Sequence, residues 1–112
     1  FIFLNININI MRESDRILEK YPNRIPIIVN RKQNSNITDI DKSKFLVQKD
    51  MAINQFIYII RKRLKLKSNE AIFVTINNKI CANNESLSEI YERDKNIDGY
   101  LYIIYSSENT FG

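Results

Sequence analysis

Residues 53–66 set the strongest limit on what this chain can fold into. Apolar side chains fall at Ile53, Phe56, Ile57, Ile59, Ile60 and Leu64, and Tyr58 adds an aromatic. The spacing is helical, but it fills more than the single stripe that an ordinary surface helix needs. Such a helix is covered on two sides, or keeps one face for the core and another for a partner. It ends in Arg61-Lys-Arg-Leu-Lys-Leu-Lys67, where positive charge suits the negative end of the helix dipole. The rest of the chain must supply a layer for it to pack on.

The flanking segments read mostly as strands. Ile25-Pro-Ile-Ile-Val29 is a strand candidate, and Pro26 within it argues for an edge position or a strand start. Residues 44–49 form a second candidate able to pair with it as a hairpin, across a polar, turn-like stretch at 31–36. Ala71-Ile-Phe-Val-Thr-Ile76 is a third strand. Asn77-Asn78 marks a turn after it, with Lys79-Ile80 as a short return. Tyr100 to Tyr105 is the last strand, entered through the Asp98-Gly99 turn. Two short helices complete the pattern. Residues 12–21 place Ile17, Leu18 and Tyr21 at helical spacing before Pro22, which stops the helix. Ser86 and Glu89 form a capping box that opens a helix through about Arg93. A hairpin, a main helix, then further strands packed over it imply an α+β fold, the ubiquitin-like β-grasp, with an additional N-terminal helical segment. The expected organisation is an atypical low-complexity segment at 1–10, a ubiquitin-like domain at 11–106, and a flexible tail at 107–112. The first segment alternates with strand period from Leu4 to Ile10, so an extra edge strand is the alternative reading.

Several chemistries are excluded by what the sequence lacks. It has no histidine and one cysteine, Cys81. Serine–histidine and cysteine–histidine catalysis therefore have no base, a zinc site has too few of its usual ligands, and an internal disulfide is impossible. No cofactor is implied, and no enzyme activity is expected. No apolar run approaches the roughly 20 residues of a membrane helix. Charge is unevenly spread: residues 1–67 carry 14 basic and 6 acidic side chains, a balance of +8, whereas residues 68–112 carry 3 basic and 7 acidic, a balance of −4. Such polarity suits an acidic partner or surface. Nucleic acid is not expected, because the aromatics do not interleave with the basic run as stacking platforms do.

Several segments in order resemble one family. Lys20-Tyr-Pro-Asn-Arg-Ile-Pro-Ile-Ile-Val29, Asp41-Lys-Ser-Lys-Phe-Leu-Val47, Gln55-Phe56, Ile60-Arg-Lys-Arg63, Glu70-Ala-Ile-Phe73, Asn77-Asn78, Leu101-Tyr-Ile-Ile-Tyr105 and the ending Phe111-Gly112 are similar to GABARAP and its relatives, the autophagy ubiquitin-like modifiers. The resemblance runs from about Arg12 to Gly112. It implies activation at Gly112 and transfer by activating and conjugating enzymes. The product would be an amide with phosphatidylethanolamine, giving a cytoplasmic protein that becomes attached to the autophagosomal or a related organelle membrane. It also implies capture of receptors and adaptors bearing aromatic-x-x-aliphatic motifs along the edge strand at 44–47, with the backbone of Lys44 and Leu46 as hydrogen-bond partners. The aromatic pocket carries over to Glu13, Ile17, Pro26, Ile28, Lys44, Leu46 and Tyr100. The aliphatic pocket carries over to Phe45, Val47, Met51, Phe56, Ile59, Ile60 and Arg63. Lys42, Lys44 and Arg63 would attract acidic residues flanking the motif.

The sequence departs from that family at named positions. Gln48 and Cys81-Ala82 stand where prolines are usual. Gly99 replaces a frequent bulky aromatic, which alters the wall beside the first pocket. Ala52 takes the place of a capping hydroxyl, at an expected cost of about 1 kcal/mol. Two other readings of the residues remain. One is a ubiquitin-like docking domain that is never conjugated. The other, ranked below it for want of interleaved aromatics, is a nucleic-acid or anionic-surface binder using Arg61 to Lys67, Arg31, Lys32 and Lys49.

Overall fold

The structure, a computed structural model, describes residues 12–107. Seven elements follow one another: α1 (Glu13–Lys20), β1 (Arg24–Arg31), β2 (Lys44–Gln48), α2 (Ile53–Leu64), β3 (Phe73–Thr75), α3 (Leu87–Asp94) and β4 (Leu101–Ser106). The strands form one sheet in the order β2-β1-β4-β3, antiparallel at both outer pairs and parallel between β1 and β4. This is the expected α+β ubiquitin-like arrangement. Parallel neighbours cannot be joined by a hairpin, so the chain crosses between them through α2, β3 and α3.

The core lies between the sheet and α2. Ile25, Ile27 and Val29 of β1, Leu101, Ile103 and Tyr105 of β4, and Ile53, Phe56, Ile60 and Leu64 of α2 are all buried in one cluster, joined by Leu87 and Ile90 of α3. Successive strand residues point to opposite faces. The intervening Pro26, Ile28, Tyr100 and Tyr102 therefore belong to the other face. There, α1 packs against β1, and Glu13 reaches Lys44 and Tyr100.

Pro26 is not on an edge strand, because β1 is flanked on both sides. Odd-numbered residues of β1 bond towards β2, as Val29 N–H does to the Ser43 carbonyl at 2.7 Å. Even-numbered ones bond towards β4, as Lys32 N–H does to the Tyr105 carbonyl at 2.7 Å. The proline nitrogen thus faces β4, one residue before the parallel register begins at Ile27 opposite Leu101. No ladder bond is lost there, which is the strand-start option that proline allows.

Helix starts are satisfied by two different means. Ser86 caps α3, its hydroxyl accepting from Glu89 N–H at 3.2 Å. Ala52 has no oxygen to offer α2, yet that helix is not left open. Gln55 Oε1 accepts from Ala52 N–H at 3.0 Å. The Glu85 and Asn83 carbonyls accept from Ile53 and Asn54 N–H at 2.8 and 3.2 Å. Tertiary carbonyls thus take the place of the missing hydroxyl. Helix α2 stops at Leu64, two residues earlier than its periodicity predicts. Lys65 turns left-handed (φ 57°), and Leu66 N–H returns to the Arg61 carbonyl at 3.2 Å, a Schellman closure.

Strand β3 is only three residues long. Asn77 and Asn78 both take positive φ, 51° and 64°, and Ile76 pairs with Lys79 in an isolated bridge rather than a returning strand. Residues 1–11 and 108–112 lie outside the described residues. So do the expectations placed on them: the edge strand at 4–10, the tail beyond Ser107, and Gly112.

Candidate functional site

Strand β2 is an edge of the sheet among the described residues. Its register fixes which backbone groups are left over. Ser43 O accepts from Val29 N–H of β1, Lys49 N–H donates to the carbonyl of Asn23 just before that strand, and Phe45 and Val47 stand opposite Ile27 and Ile25 in the same alternation. The N–H and C=O groups of Lys44 and Leu46 therefore point away from the sheet. Among the described residues, one of these four groups has an internal partner: Arg24 Nη1 approaches the Leu46 carbonyl at 3.4 Å. Gln48, the next outward residue, gives its carbonyl to Met51 N–H at 3.1 Å. The rim available to an added strand is therefore short, from Lys44 to Leu46, with Arg24 at its far end. Arg24 is absent from the sequence-predicted set, because its place opposite Gln48 emerges only from the register.

Because side chains alternate, β2 divides the expected site between two faces. Lys44 and Leu46 share the α1 face with Pro26 and Ile28, their partners across the ladder. Glu13 and Ile17 come from α1, and Tyr100 from the approach to β4. Ladder pairs, an ion pair and a hydrogen bond join six of them, and Ile17 lies one helical turn after Glu13 on α1. Pro26 and Tyr100 are buried, Ile17, Ile28 and Leu46 are half-buried, and Glu13 and Lys44 are exposed. A polar clasp ties α1 to the sheet: Lys44 Nζ meets Glu13 Oε1 at 2.9 Å, and the Tyr100 hydroxyl donates to the same oxygen. The Lys44 ammonium also sits 5.8 Å from the Tyr100 ring centre. The Tyr100 hydroxyl and Lys44 hold the Glu13 carboxyl below the usual glutamate range. Burial, then the hydrogen bond to Glu13, pushes the Tyr100 phenol up to about 12.

Gly99 explains how α1 comes so close. It has φ +86°, and a Cβ there would collide with the Ser14 hydroxyl. Ser14 is fully buried and donates to the Asp98 carbonyl at 2.5 Å, while Arg12 donates to the Ile97 carbonyl. The space that a bulky aromatic would fill is thus taken by α1 itself.

On the α2 face, Phe45 and Val47 meet Met51 and the side of α2. Phe45 packs edge-on against Phe56 at 5.4 Å between ring centres. The Lys42 ammonium and the Arg63 guanidinium lie over the Phe45 ring at 5.2 and 5.6 Å, and Arg63 also reaches Asp41 at 3.7 Å. Phe56 and Ile60 have no exposed surface, and Val47 is 8% exposed. These three belong to the core and lie behind the surface rather than on it, unlike the pocket-lining role expected of them. The half-buried Phe45, Met51, Ile59 and Arg63 form the wall.

The excess apolar surface of α2 has a further outlet. Ile57 lines a cavity of about 190 Å³ on the β3 side, with Ile72, Phe73, Ile76, Ile80 and Cys81. The helix therefore meets a core, a groove wall and a second hollow, one more than two-sided covering requires. Burial, the largest cause, raises the Cys81 thiol pKa, which leaves it a poor thiolate. Among the described residues, no cluster of three metal-ligating side chains occurs, and no helix is long and apolar enough to cross a membrane.

Known proteins share this arrangement. The profile of the family described as "Autophagy protein Atg8 ubiquitin like" matches residues 9–112. The chain is 50% identical over 100 residues to autophagy-related protein 8e of Arabidopsis thaliana, covering 89% of this chain and 82% of that one. It is 50% identical over 100 residues to autophagy-related protein 8 of Kluyveromyces lactis, covering 89% and 81%. Among solved structures it is similar to Plasmodium falciparum Atg8 in complex with a Plasmodium falciparum Atg3 peptide, with TM-score 0.80, 35% identity and 88% of each chain covered. It is also similar to Trypanosoma brucei ATG8, with TM-score 0.80, 38% identity and 89% and 86% covered.

Proposed function

The chain belongs to the Atg8 family of ubiquitin-like autophagy proteins, and from that premise we propose that it captures aromatic-x-x-aliphatic motifs on β2 and is joined through Gly112 to phosphatidylethanolamine. The observation that carries the first part is the pair of outward-facing backbones at Lys44 and Leu46, on a strand that sends the half-buried Leu46 and Phe45 side chains to opposite faces of the sheet. An extended peptide added to that rim alternates its own side chains between the two faces. Anchors three residues apart then point to opposite faces. The aromatic anchor enters beneath α1, against Ile17, Ile28 and Leu46. The aliphatic anchor lies against Phe45, Met51 and Ile59. Burying two such side chains supplies about 3–6 kcal/mol of gross driving force, and the backbone ladder orients them. Lys42, Lys44 and Arg63 ring the groove with positive charge, which mainly speeds association with acid-flanked motifs.

The partners follow from the same reading. Receptors and adaptors would present the motif. A conjugating enzyme is a second partner class, supported by the Atg3 peptide held by the Plasmodium relative. Gly112 suits conjugation because a residue without Cβ enters a narrow active site and tolerates unusual backbone angles. The modified protein would be held on autophagosomal or related membrane, with residues 11–106 as the binding domain and 107–112 as its tether. A docking domain that is never conjugated is the competing reading.

Two measurements test this. Titration with a fluorescent motif peptide should show Leu46→Ala and Phe45→Ala each weakening binding by about tenfold or more while the variants stay folded. Unchanged affinity in both would remove the groove. Incubation with the family's activating and conjugating enzymes should yield a lipid adduct that Gly112→Ala abolishes. An adduct that persists in this variant places the attachment elsewhere, and no adduct from the unaltered chain favours the docking domain.

A further inference from the structure

The basic end of α2 has no role in the groove beyond Arg63. Lys62, Lys65 and Lys67 are exposed. Arg61 spends its guanidinium on the Glu70 and Lys67 carbonyls at 2.8 and 2.9 Å. Nearby carboxylates are already engaged. Asp39 pairs with Arg31 at 2.7 Å, Asp41 with Arg63 at 3.7 Å, and Glu70 accepts from Lys67 N–H at 2.8 Å. Among the described residues, the three lysines have no carboxylate within ion-pair distance; Lys62 rests over the Tyr58 ring at 5.0 Å, which leaves its ammonium in solvent. This cluster supplies three of the 14 basic side chains in residues 1–67.

Its position matters as much as its charge. Ser107 lines a cavity together with Leu64, Lys65 and Leu66, so the chain leaves the domain beside the end of α2. Five residues lead from Ser107 to Gly112, a reach of at most about 17 Å. Whatever is coupled to Gly112 stays within that reach of Ser107, which shares its cavity with Lys65.

We propose that Lys62, Lys65 and Lys67 form a docking surface for anionic lipid headgroups, turned towards the membrane that the tail engages. Placing the membrane on this side rests on the reading of Gly112 above; the headgroup affinity does not. A lysine near an anionic bilayer strengthens binding about fivefold, and three together about a hundredfold, an effect confined to within a Debye length of the surface. An acidic peptide is the rival occupant, but nothing ties it to the tail's exit.

The test uses the unconjugated full chain with phosphatidylserine-rich and pure phosphatidylcholine vesicles in co-sedimentation, so failure at Gly112 leaves it unaffected. Binding is expected to the anionic vesicles alone and to fall steeply with salt. The Lys62→Gln/Lys65→Asn/Lys67→Gln variant should lose about a hundredfold, with melting temperature and motif-peptide affinity unchanged. A control of equal charge loss made at Lys20 and Lys95, plus Lys79, should lose much less. The proposal is overturned by any of four results: no binding to anionic vesicles, equal binding to neutral ones, an equal loss in the control, or lysine-dependent binding of polyglutamate without vesicle binding.

Discussion

The two faces of β2 are covered by different physics. Beneath α1, the closure is polar: Glu13 is bridged by Lys44 and Tyr100, over a floor of Pro26, and α1 itself is held by Ser14 and Arg12 to the loop before β4. Beside α2, the closure is apolar and aromatic: Phe45 stands on Phe56 under two cations, with the domain core behind them. One side answers to charge and pH. The other rests on the core residues Phe56 and Ile60, so only its half-buried residues, such as Phe45, can be altered without disturbing the fold. An edge strand thus offers two anchor sites of unequal rigidity, although its backbone is the same for both.

The largest expected effect separates the two faces. Phe56→Ala should destabilise the domain by about 3–5 kcal/mol, because a fully buried aromatic leaves a cavity. Ile17→Ala, in the half-buried wall beneath α1, should cost about 1 kcal/mol. Urea unfolding of both variants measures the gap, and equal losses would erase the distinction.

Next in size is Gly99→Ala. The positive φ and the approach of Ser14 together predict a loss of about 1–3 kcal/mol, concentrated on α1. Hydrogen exchange should show faster opening of α1 with α2 unchanged, and motif-peptide binding should weaken through the aromatic anchor. Uniform loosening of both helices would mean that α1 is not a separately held element.

The smallest effect is the titration of the clasp. Glu13 has a lowered pKa in the folded state, so its contribution is present above the ordinary glutamate value, about 4.3, and disappears as pH falls through the folded value. Tyr100 has a raised pKa. Its contribution is complete below about 10, the ordinary phenol value, and is lost as pH rises towards about 12. In Glu13→Gln the acid limb of the pH dependence of α1 docking should shrink, with Asp15 and Asp98, both also held low, carrying what is left. The Tyr100 phenol, followed by tyrosinate absorbance, should move down without returning to 10, because burial is its larger cause. A full return would assign the shift to the carboxylate instead.

Much of the fold is legible in local pattern. The period of residues 53–66, the Asn77-Asn78 turn and the Ser86 cap each depend on neighbours a few residues away. Element ends are less so. Helix α2 stops at Leu64 because Lys65 adopts a left-handed conformation, which lysine does not advertise. Ala52 reads as a missing cap because the carbonyls of Asn83 and Glu85, which replace it, are distant in sequence. Pro26 reads equally as an edge or a start, and only the stagger of β4 decides between them.

The groove divides along the same line. Alternation along residues 44–47 and the excess apolar surface of residues 53–66 are properties of sequence, since side-chain direction in a strand or helix follows from backbone period alone. Which groups of β2 are left outward, that Arg24 approaches one of them, that Phe56 and Ile60 are core rather than pocket lining, and that α1 fits where Gly99 lacks a side chain were decided by tertiary structure. Each of these depends on register and packing between segments far apart in the chain, and no local period encodes such a distance.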